Sequence, residues 1–199
     1  MRRYLEQITH EELEYCRENI FYFIEEYCRI EDKDRPGLVI PFRLWEGQKE
    51  AVRSILSHRF NIILKARQLG MSWLTLAIAL HTLMFHEGST VAALSRTQNE
   101  ARELVRRIRA MCAEMREFIS QKRGDKPYYM ESTQMSLTLY PKEGRESVFQ
   151  AFTGSPAAAR SFTANLIIFD EWAYQQNAEE IWISGLPTVN RPNGGKVIG

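Results

Sequence analysis

The sequence has few cysteines and no long apolar run, and both shortages exclude whole classes of protein. Its three cysteines, Cys16, Cys28 and Cys112, lack the spacings of zinc sites, and their odd number argues against a closed disulfide framework. Nowhere do about 18 consecutive apolar residues occur, and no apolar segment follows the amino terminus as it would in a signal peptide. We therefore expect a soluble protein of a reducing cytoplasm, with no membrane partner.

The chain also lacks a net charge that would identify a partner. Lys and Arg number 26 against 25 Asp and Glu, and the sum of +1 argues neither for nor against nucleic acid. The charges are unevenly distributed, because residues 96–123 carry eight basic and four acidic groups. One face of a predicted helix in this segment is rich in arginine and could contact DNA phosphates or only water. Its arginines are Arg102, Arg106, Arg109 and Arg116.

Periodicity predicts a single α/β domain. With 199 residues, 44% of them hydrophobic, the chain can bury one substantial core. An amphipathic lead helix, with Thr9 and Glu12 as a possible capping box, continues to the breaker at 34–37. Beyond it, strands and helices alternate, which favours a mainly parallel sheet with helices on both faces. Strands are predicted at 38–42, 60–64, 90–94, 164–169 and from 196, helices at 46–58, 72–86, 98–119 and 178–184, and a β-hairpin or meander at 135–152. We place a helical lead-in at 1–36 and the main domain at 37–199.

The most informative segment is the loop between the strand at 60–64, which we expect to be buried, and the next helix. A phosphate-binding loop lies at such a junction, with the pattern G-x-x-x-x-G-K-[ST]. Gly70 and Ser72 fit this pattern, but a methionine, Met71, stands where the lysine is expected. The eight residues are Lys65, Ala66, Arg67, Gln68, Leu69, Gly70, Met71 and Ser72.

The missing cation could come from within the same loop. Lys65 and Arg67 are both available, and Ser72 can supply the hydroxyl that Mg²⁺ needs. The alternative is that this is an ordinary strand, turn and helix with no ligand. The loop alone does not decide between them.

A second element lies about 100 residues later, where the unbroken apolar strand at 164–169 ends in Asp170 and Glu171. In nucleotide hydrolases an aspartate in this position holds Mg²⁺ indirectly and a glutamate polarises the attacking water, although carboxylates after a strand are also common surface residues. The two elements together are a stronger signal than either alone, because open α/β sheets bind ligands at the carboxyl ends of their strands.

An amide and an aromatic side chain precede the loop. Gln48 could read the adenine edge, since an amide both donates and accepts hydrogen bonds. Trp45 could pack on the base or belong to the core.

These segments together resemble the amino-terminal ATPase of the large terminase subunit of tailed bacteriophages, from roughly Trp45 to Gly199. The resemblance rests on Gln48, on the loop from Lys65 to Ser72 and on the strand that ends in Asp170, Glu171 and Trp172. In that family the phosphate loop is often deviant, and in some members the lysine lies at the start of the motif, as Lys65 does. The resemblance implies a P-loop fold of the ASCE type and an ATP hydrolase that uses Mg²⁺.

The resemblance also implies binding partners and further segments of the protein. It predicts double-stranded DNA, a portal protein and a small terminase subunit as partners, a homo-oligomeric ring, and a place in the host cell cytoplasm. It implies a coupling motif and a nuclease domain beyond Gly199, so we expect this chain to be part of a longer protein. Arg160, upstream of Glu171, stands where some members carry an arginine that reaches the neighbouring subunit's nucleotide.

Two other classes remain open from the sequence. A superfamily 2 helicase shares the glutamine and the Asp-Glu pair, but it keeps the lysine after the glycine and usually continues with Asp-Glu-x-His or Asp-Glu-x-Asp, whereas here Trp172 and Ala173 follow. The non-enzymatic alternative is a nucleotide-binding or assembly module in which Met71 marks lost catalysis.

Overall fold

The computed structural model describes residues 8–32, 34–35, 37–66, 68–120, 122–189 and 195–199, which form a mixed α/β fold. The helices are α1 (His10–Glu18), α2 (Ile20–Tyr22), α3 (Glu46–Ser57), α4 (Met71–Phe85), α5 (Gln98–Glu114), α6 (Pro156–Arg160) and α7 (Ala178–Val189), with a π-helical turn at Phe23–Tyr27 and a 3₁₀ turn at Trp172–Tyr174. The strands are β1 (Arg29–Glu31), β2 (Val39–Pro41), β3 (Phe60–Asn61), β4 (Thr90–Ser95), β5 (Ile119–Ser120), β6 (Tyr128–Ser132), β7 (Ser136–Pro141), β8 (Ser147–Thr153), β9 (Leu166–Phe169) and β10 (Lys196–Ile198).

The central sheet is mostly parallel, as predicted. Its strand order is β3-β10-β9-β4-β8-β7-β6-β5, and the first five strands pair in parallel. Strands β6, β7 and β8 form an antiparallel meander. Because β8 also pairs with β4, the predicted meander is part of the main sheet.

The two faces of the sheet are covered by different helices, which explains why the central strands are apolar without alternation. In β9, Leu166 and Ile168 belong to the core under α4 and α5. Ile167 and Phe169 point to the opposite face and pack with residues of α6 and α7. The strand is buried on both faces, as its unbroken apolar composition predicts.

The amino-terminal segment packs on α4 but is less regular than predicted. Thr9 caps α1 by accepting from the backbone of Glu12 at 3.2 Å. The helix then ends and restarts, because the Asn19 side chain accepts from the backbone N–H of Tyr22 at 3.0 Å. Strand β1 follows Tyr27 and pairs with β2, so the prediction of one continuous lead helix up to residue 34 was wrong.

The expectation of a buried strand at 60–64 was also wrong. Strand β3 lies at the edge of the sheet and contains only two residues, although the N–H of Ile63 still donates to the carbonyl of Gly199 at 2.7 Å. The side chain of Ile62 is 69% exposed, and Leu64 is fully exposed. An apolar run at a sheet edge has the same composition as one in the centre, and the sequence cannot distinguish them.

Among the helices of the described residues, none is both long and apolar enough to span a bilayer.

The contact between the amino-terminal segment and α4 includes a buried histidine and predicts a pH dependence of stability. Nε2 of His81 lies 3.1 Å from the carbonyl oxygen of Cys16, and the ring packs against Phe23. Burial lowers the pKa of His81 from 6.5 to about 4. Between these values the unfolded chain binds a proton at His81 that the folded protein does not. The contribution of His81 to stability therefore falls by about 3 kcal/mol as pH drops from about 6.5 to 4.

Urea denaturation of wild type and His81→Phe at a series of pH values tests this expectation. The variant removes the titration, so its free energy of unfolding should depend less steeply on pH below 6.5 than that of the wild type. His10→Gln, which replaces an exposed histidine outside this contact, is the matched control variant. Parallel pH profiles of wild type and His81→Phe would contradict the assignment.

Candidate functional site

The loop after β3 turns sharply into α4 through two residues in the left-handed backbone region. Gln68 has φ of 66° and Gly70 has φ of 69°. Gly70 precedes the first residue of α4, and its carbonyl accepts the first helical hydrogen bond from Leu74 at 3.1 Å. A Cβ at Gly70 would lie 3.0 Å from Nε2 of Gln48, so a glycine suits both the backbone and the packing here.

Ser72 and Asp170 join the two motifs that the sequence separates by 98 residues. The hydroxyl of Ser72 donates to Oδ1 of Asp170 at 3.0 Å. Asp170 is held in turn from the neighbouring strand, because its N–H donates to the carbonyl of Leu94 at 2.9 Å. The first turn of α4 and the carboxyl end of β9 therefore meet in one place.

The electrostatics of Asp170 indicate a place suited to a cation. Burial raises the pKa of Asp170, and the adjacent charge of Glu171 raises it further. The hydrogen bond from Ser72 and the positive charges of Lys65 and Arg107 act in the opposite direction on this pKa. A carboxylate that loses solvation beside a second carboxylate gains most from a nearby positive ion.

These residues fit a Mg²⁺ ion. Mg²⁺ is usually held by one or two protein oxygens together with water and substrate phosphates, and not by a closed protein cage. Ser72 and Asp170 supply a hydroxyl and a carboxylate oxygen at adjacent positions. Within the described ranges, no cluster of three or more His, Cys, Asp and Glu side chains could hold a metal by itself.

Two adjoining cavities open around this pair. One of about 340 Å³ extends toward β10 and the turn after β9, and the other, of about 710 Å³, extends toward β1 and α5. Both are lined by the same five residues at the centre, namely Lys65, Met71, Ser72, Glu171 and Tyr174. The larger cavity is also lined by Gln68, Leu69 and Gly70.

The predicted loop residues do not share one environment. Lys65 and Ala66 are exposed, and Lys65 faces both cavities. Met71 is buried and packs into the core while its side chain contributes to the cavity wall. Arg67, the other candidate for the phosphate cation, lies outside the described residues.

Gln48 lies behind the loop. Its Nε2 donates to the carbonyl of Leu69 at 3.0 Å, and the side chain is only 2% exposed. Its Oε1 has no hydrogen-bond partner among the described residues. A buried carbonyl oxygen without a donor is costly, so a hydrogen-bond donor brought to this oxygen would stabilise it. Trp45 is 48% exposed, so of the two alternatives for this residue a place in the core is wrong.

Arg160 lies away from the cavities around Ser72. It is the last residue of α6, is exposed, and donates from Nε to the carbonyl of Pro156 at 3.2 Å. Together with Phe162 and Ile183 it lines a separate open depression on the α6 and α7 side of the sheet.

Sequence reasoning missed two arginines at the larger cavity. Arg96 directly follows β4, whose carboxyl end adjoins that of β9, and this position alone could have identified it. Arg107 lies on α5, and its guanidinium stacks over the ring of Trp73 at 5.3 Å. Nothing in the helical spacing of Arg107 indicates that it faces the loop.

The arginine-rich face of α5 is partly neutralised. Arg106 donates to both carboxylate oxygens of Glu31, at 2.6 and 2.7 Å, and also pairs with Glu103. Arg102 and Arg109 line a different surface cavity with Thr133. The face is therefore less available to DNA phosphates than its sequence suggests.

Solved structures of phage large terminases have a fold similar to that of this chain. The ATPase domain of the Thermus phage P74-26 large terminase matches with a TM-score of 0.66 at 18% identity, over 79% of this chain and 65% of that one. The bacteriophage HK97 large terminase matches with a TM-score of 0.66 at 15% identity, over 92% of this chain and 36% of that one. The large terminase of the thermophilic bacteriophage D6E in complex with ADP matches with a TM-score of 0.59 at 14% identity, over 78% and 38%. The chain thus spans less than two thirds of each of these relatives.

The mixed α/β fold, with a mostly parallel sheet flanked by helices, is thus shared with these large terminases. A sequence profile described as "Terminase large subunit, T4likevirus-type, N-terminal" matches residues 62–185. Because this profile covers more than half of the sequence, the chain belongs to the family of T4-like-virus-type large terminase subunits, in their amino-terminal region.

Proposed function

We propose that this chain is the ATPase motor domain of a viral large terminase, which hydrolyses ATP with Mg²⁺ to drive double-stranded DNA into a procapsid. The observation that carries the proposal is the contact of Ser72 with Asp170 beside Lys65 and Glu171, at the carboxyl ends of parallel strands. Membership of the family supports it, as does the ADP bound to the similar D6E terminase.

We assign the phosphates to the loop from Lys65 to Ser72. The backbone N–H groups at the start of α4 and the charge of Lys65 would hold the phosphate oxygens. Ser72 and Asp170 would hold Mg²⁺, which supplies positive charge to the phosphates during transfer. We retain Arg67 as the alternative cation, since Met71 carries no charge.

We assign water activation to Glu171. Its backbone has φ of 51°, and the exposed carboxylate lines both cavities directly after the metal-binding position. From there it would orient a water and take its proton as the water oxygen bonds to the γ-phosphorus and the bond to the ADP oxygen breaks.

We assign the adenine to Gln48 and a contact between subunits to Arg160. Because Nε2 of Gln48 already donates to the carbonyl of Leu69, the remaining Oε1 would accept a hydrogen bond from the exocyclic amino group of adenine. Arg160 is exposed and lines neither cavity around Ser72. We therefore propose that it contacts the nucleotide of a neighbouring copy in a homo-oligomeric ring. By family resemblance we further propose a portal protein and a small terminase subunit as partners, the host cell cytoplasm as the location, and residues 37–199 as the ATPase unit after a lead-in at 1–36.

The variant Glu171→Ala tests the proposed hydrolysis. It should reduce ATP turnover by about 10² to 10⁴, the usual contribution of a general base, and should leave ATP binding measurable. Phosphate release gives the first quantity and a fluorescent ATP analogue gives the second. The control is Glu180→Ala, an exposed carboxylate in the first turn of α7. Wild-type turnover in Glu171→Ala would overturn the assignment.

A comparison of Lys65→Ala with Arg67→Ala identifies the phosphate cation. We expect Lys65→Ala to cause the larger loss, with the Kd for Mg·ATP raised about 10- to 100-fold, because one charge-assisted hydrogen bond is lost. Lys142→Ala, an exposed lysine on the meander side of the sheet, serves as the control. If hydrolysis and Kd change in neither variant, the cation is another residue, and Arg96 and Arg107 are the next to replace.

A further inference from the structure

A buried glutamine supports the turn that carries Asp170 and Glu171. Gln175 follows the 3₁₀ turn after Glu171 and is only 7% exposed. Its Nε2 donates two hydrogen bonds, to the carbonyl of Asp170 and to the carbonyl of Leu94, each at 3.0 Å. One side chain therefore joins the carboxyl ends of β9 and β4.

Backbone hydrogen bonds hold the same turn, from Asp170 to Gln175. The carbonyl of Leu94 also accepts from the N–H of Asp170 at 2.9 Å, so it receives two donors from the same turn. The N–H of Gln175 donates to the carbonyl of Trp172 at 3.0 Å and closes the turn. Glu171 lies within this turn and has a left-handed backbone conformation, which a non-glycine residue adopts only where its surroundings hold it.

The orientation of the Gln175 amide is fixed by its partners. Both neighbours of Nε2 are carbonyl oxygens, so exchanging the amide nitrogen and oxygen would place oxygen against oxygen. Oε1 is therefore directed the other way, where it is buried and has no hydrogen-bond partner among the described residues.

Gly154 occupies the space in front of that oxygen. A Cβ at Gly154 would overlap Oε1 of Gln175, and φ of Gly154 is not in the left-handed region. The glycine is thus required by the close approach and not by its backbone conformation. Gly154 immediately follows β8, and its N–H donates to the carbonyl of Ser95 at 2.7 Å.

We propose that Gln175, packed against Gly154, is a positioning residue that holds Asp170 and Glu171 for ATP hydrolysis, an inference that rests on the proposed function. Gln175 acts through the backbone of the turn and does not touch the substrate. Because Gly154 leads directly into Ser155 and α6, the same contact connects the segment that carries Arg160 to the turn that carries Glu171.

The first test separates positioning from simple stability. Gln175→Met keeps the length of the side chain and removes both donors. We expect kcat to fall on the order of 10- to 100-fold, as for a misplaced catalytic group. The Kd for the ATP analogue should stay within about 3-fold, because the phosphate loop is untouched. Thermal unfolding of the variant establishes that the protein remains folded.

The second test measures the protection of the turn directly and does not depend on ATP hydrolysis. Amide hydrogen exchange of the peptide over 169–175 should be about 10-fold faster in Gln175→Met, with exchange in α5 unchanged. Equal exchange in wild type and variant would overturn the inference, whatever the kinetics. If exchange increases but kcat stays within about 2-fold of wild type, the positioning role in hydrolysis is overturned.

The third test uses the contact with Gly154. Gly154→Ala should reproduce the loss of kcat, since the added methyl group displaces the Gln175 amide. In a Gln175→Ala background the same change should cost little more, because the two effects share one cause. Gly185→Ala is the matched control: its Cβ would lie 3.5 Å from Phe169, an ordinary contact, and kcat should be unaffected. Additive losses in the double variant would contradict the proposed contact.

The proposed function and this inference fail in different ways. If Glu171→Ala hydrolyses ATP like the wild type, the assignment of hydrolysis fails. If Glu171→Ala is inactive while Gln175→Met and Gly154→Ala both turn over like the wild type, the positioning role fails and the assignment of hydrolysis stands.

Discussion

The hydrogen bond from the Ser72 hydroxyl to Asp170 is the contact on which the candidate site depends. It exists because β9 is buried on both faces and is therefore central, which places its carboxyl end beside the first turn of α4. The edge strand β3 is separated from β9 only by β10, so the loop that follows β3 lies close to the carboxyl end of β9. The remaining features of the site, its charges and cavities, are arranged around this pair.

The class of the sheet and its buried strand β9 could be predicted from the sequence, because alternation and composition are local properties. The run at Leu166–Phe169 has no polar residue, so only a strand covered on both sides can bury it, and the structure confirms this. Gly70 and Ser72 were proposed as phosphate-loop residues because they fit the spacing of the motif, and that role stays a prediction. The resemblance carried by these residues was confirmed at the level of the family.

Other features depend on contacts between distant segments, which one sequence does not contain. Gln175 and Gly154 are unremarkable in sequence, and only the fold brings the amide against the glycine. Arg107 reaches the larger cavity because α5 packs beside α4. The burial of the strand at 60–64 was predicted wrongly for the same reason, since strand order in a sheet is decided by partners elsewhere in the chain.

Met71 offers the most direct test of whether nucleotide phosphates occupy this loop. Its side chain stands at the position of the usual lysine and forms part of the cavity wall, whereas Met111 and Met115 are fully buried in or next to α5. With ¹³C-labelled methionine methyl groups, addition of Mg²⁺ and a non-hydrolysable ATP analogue should shift the Met71 resonance and leave those of Met111 and Met115 in place. Binding of the nucleotide without a change at Met71, or no binding at all, would contradict the account.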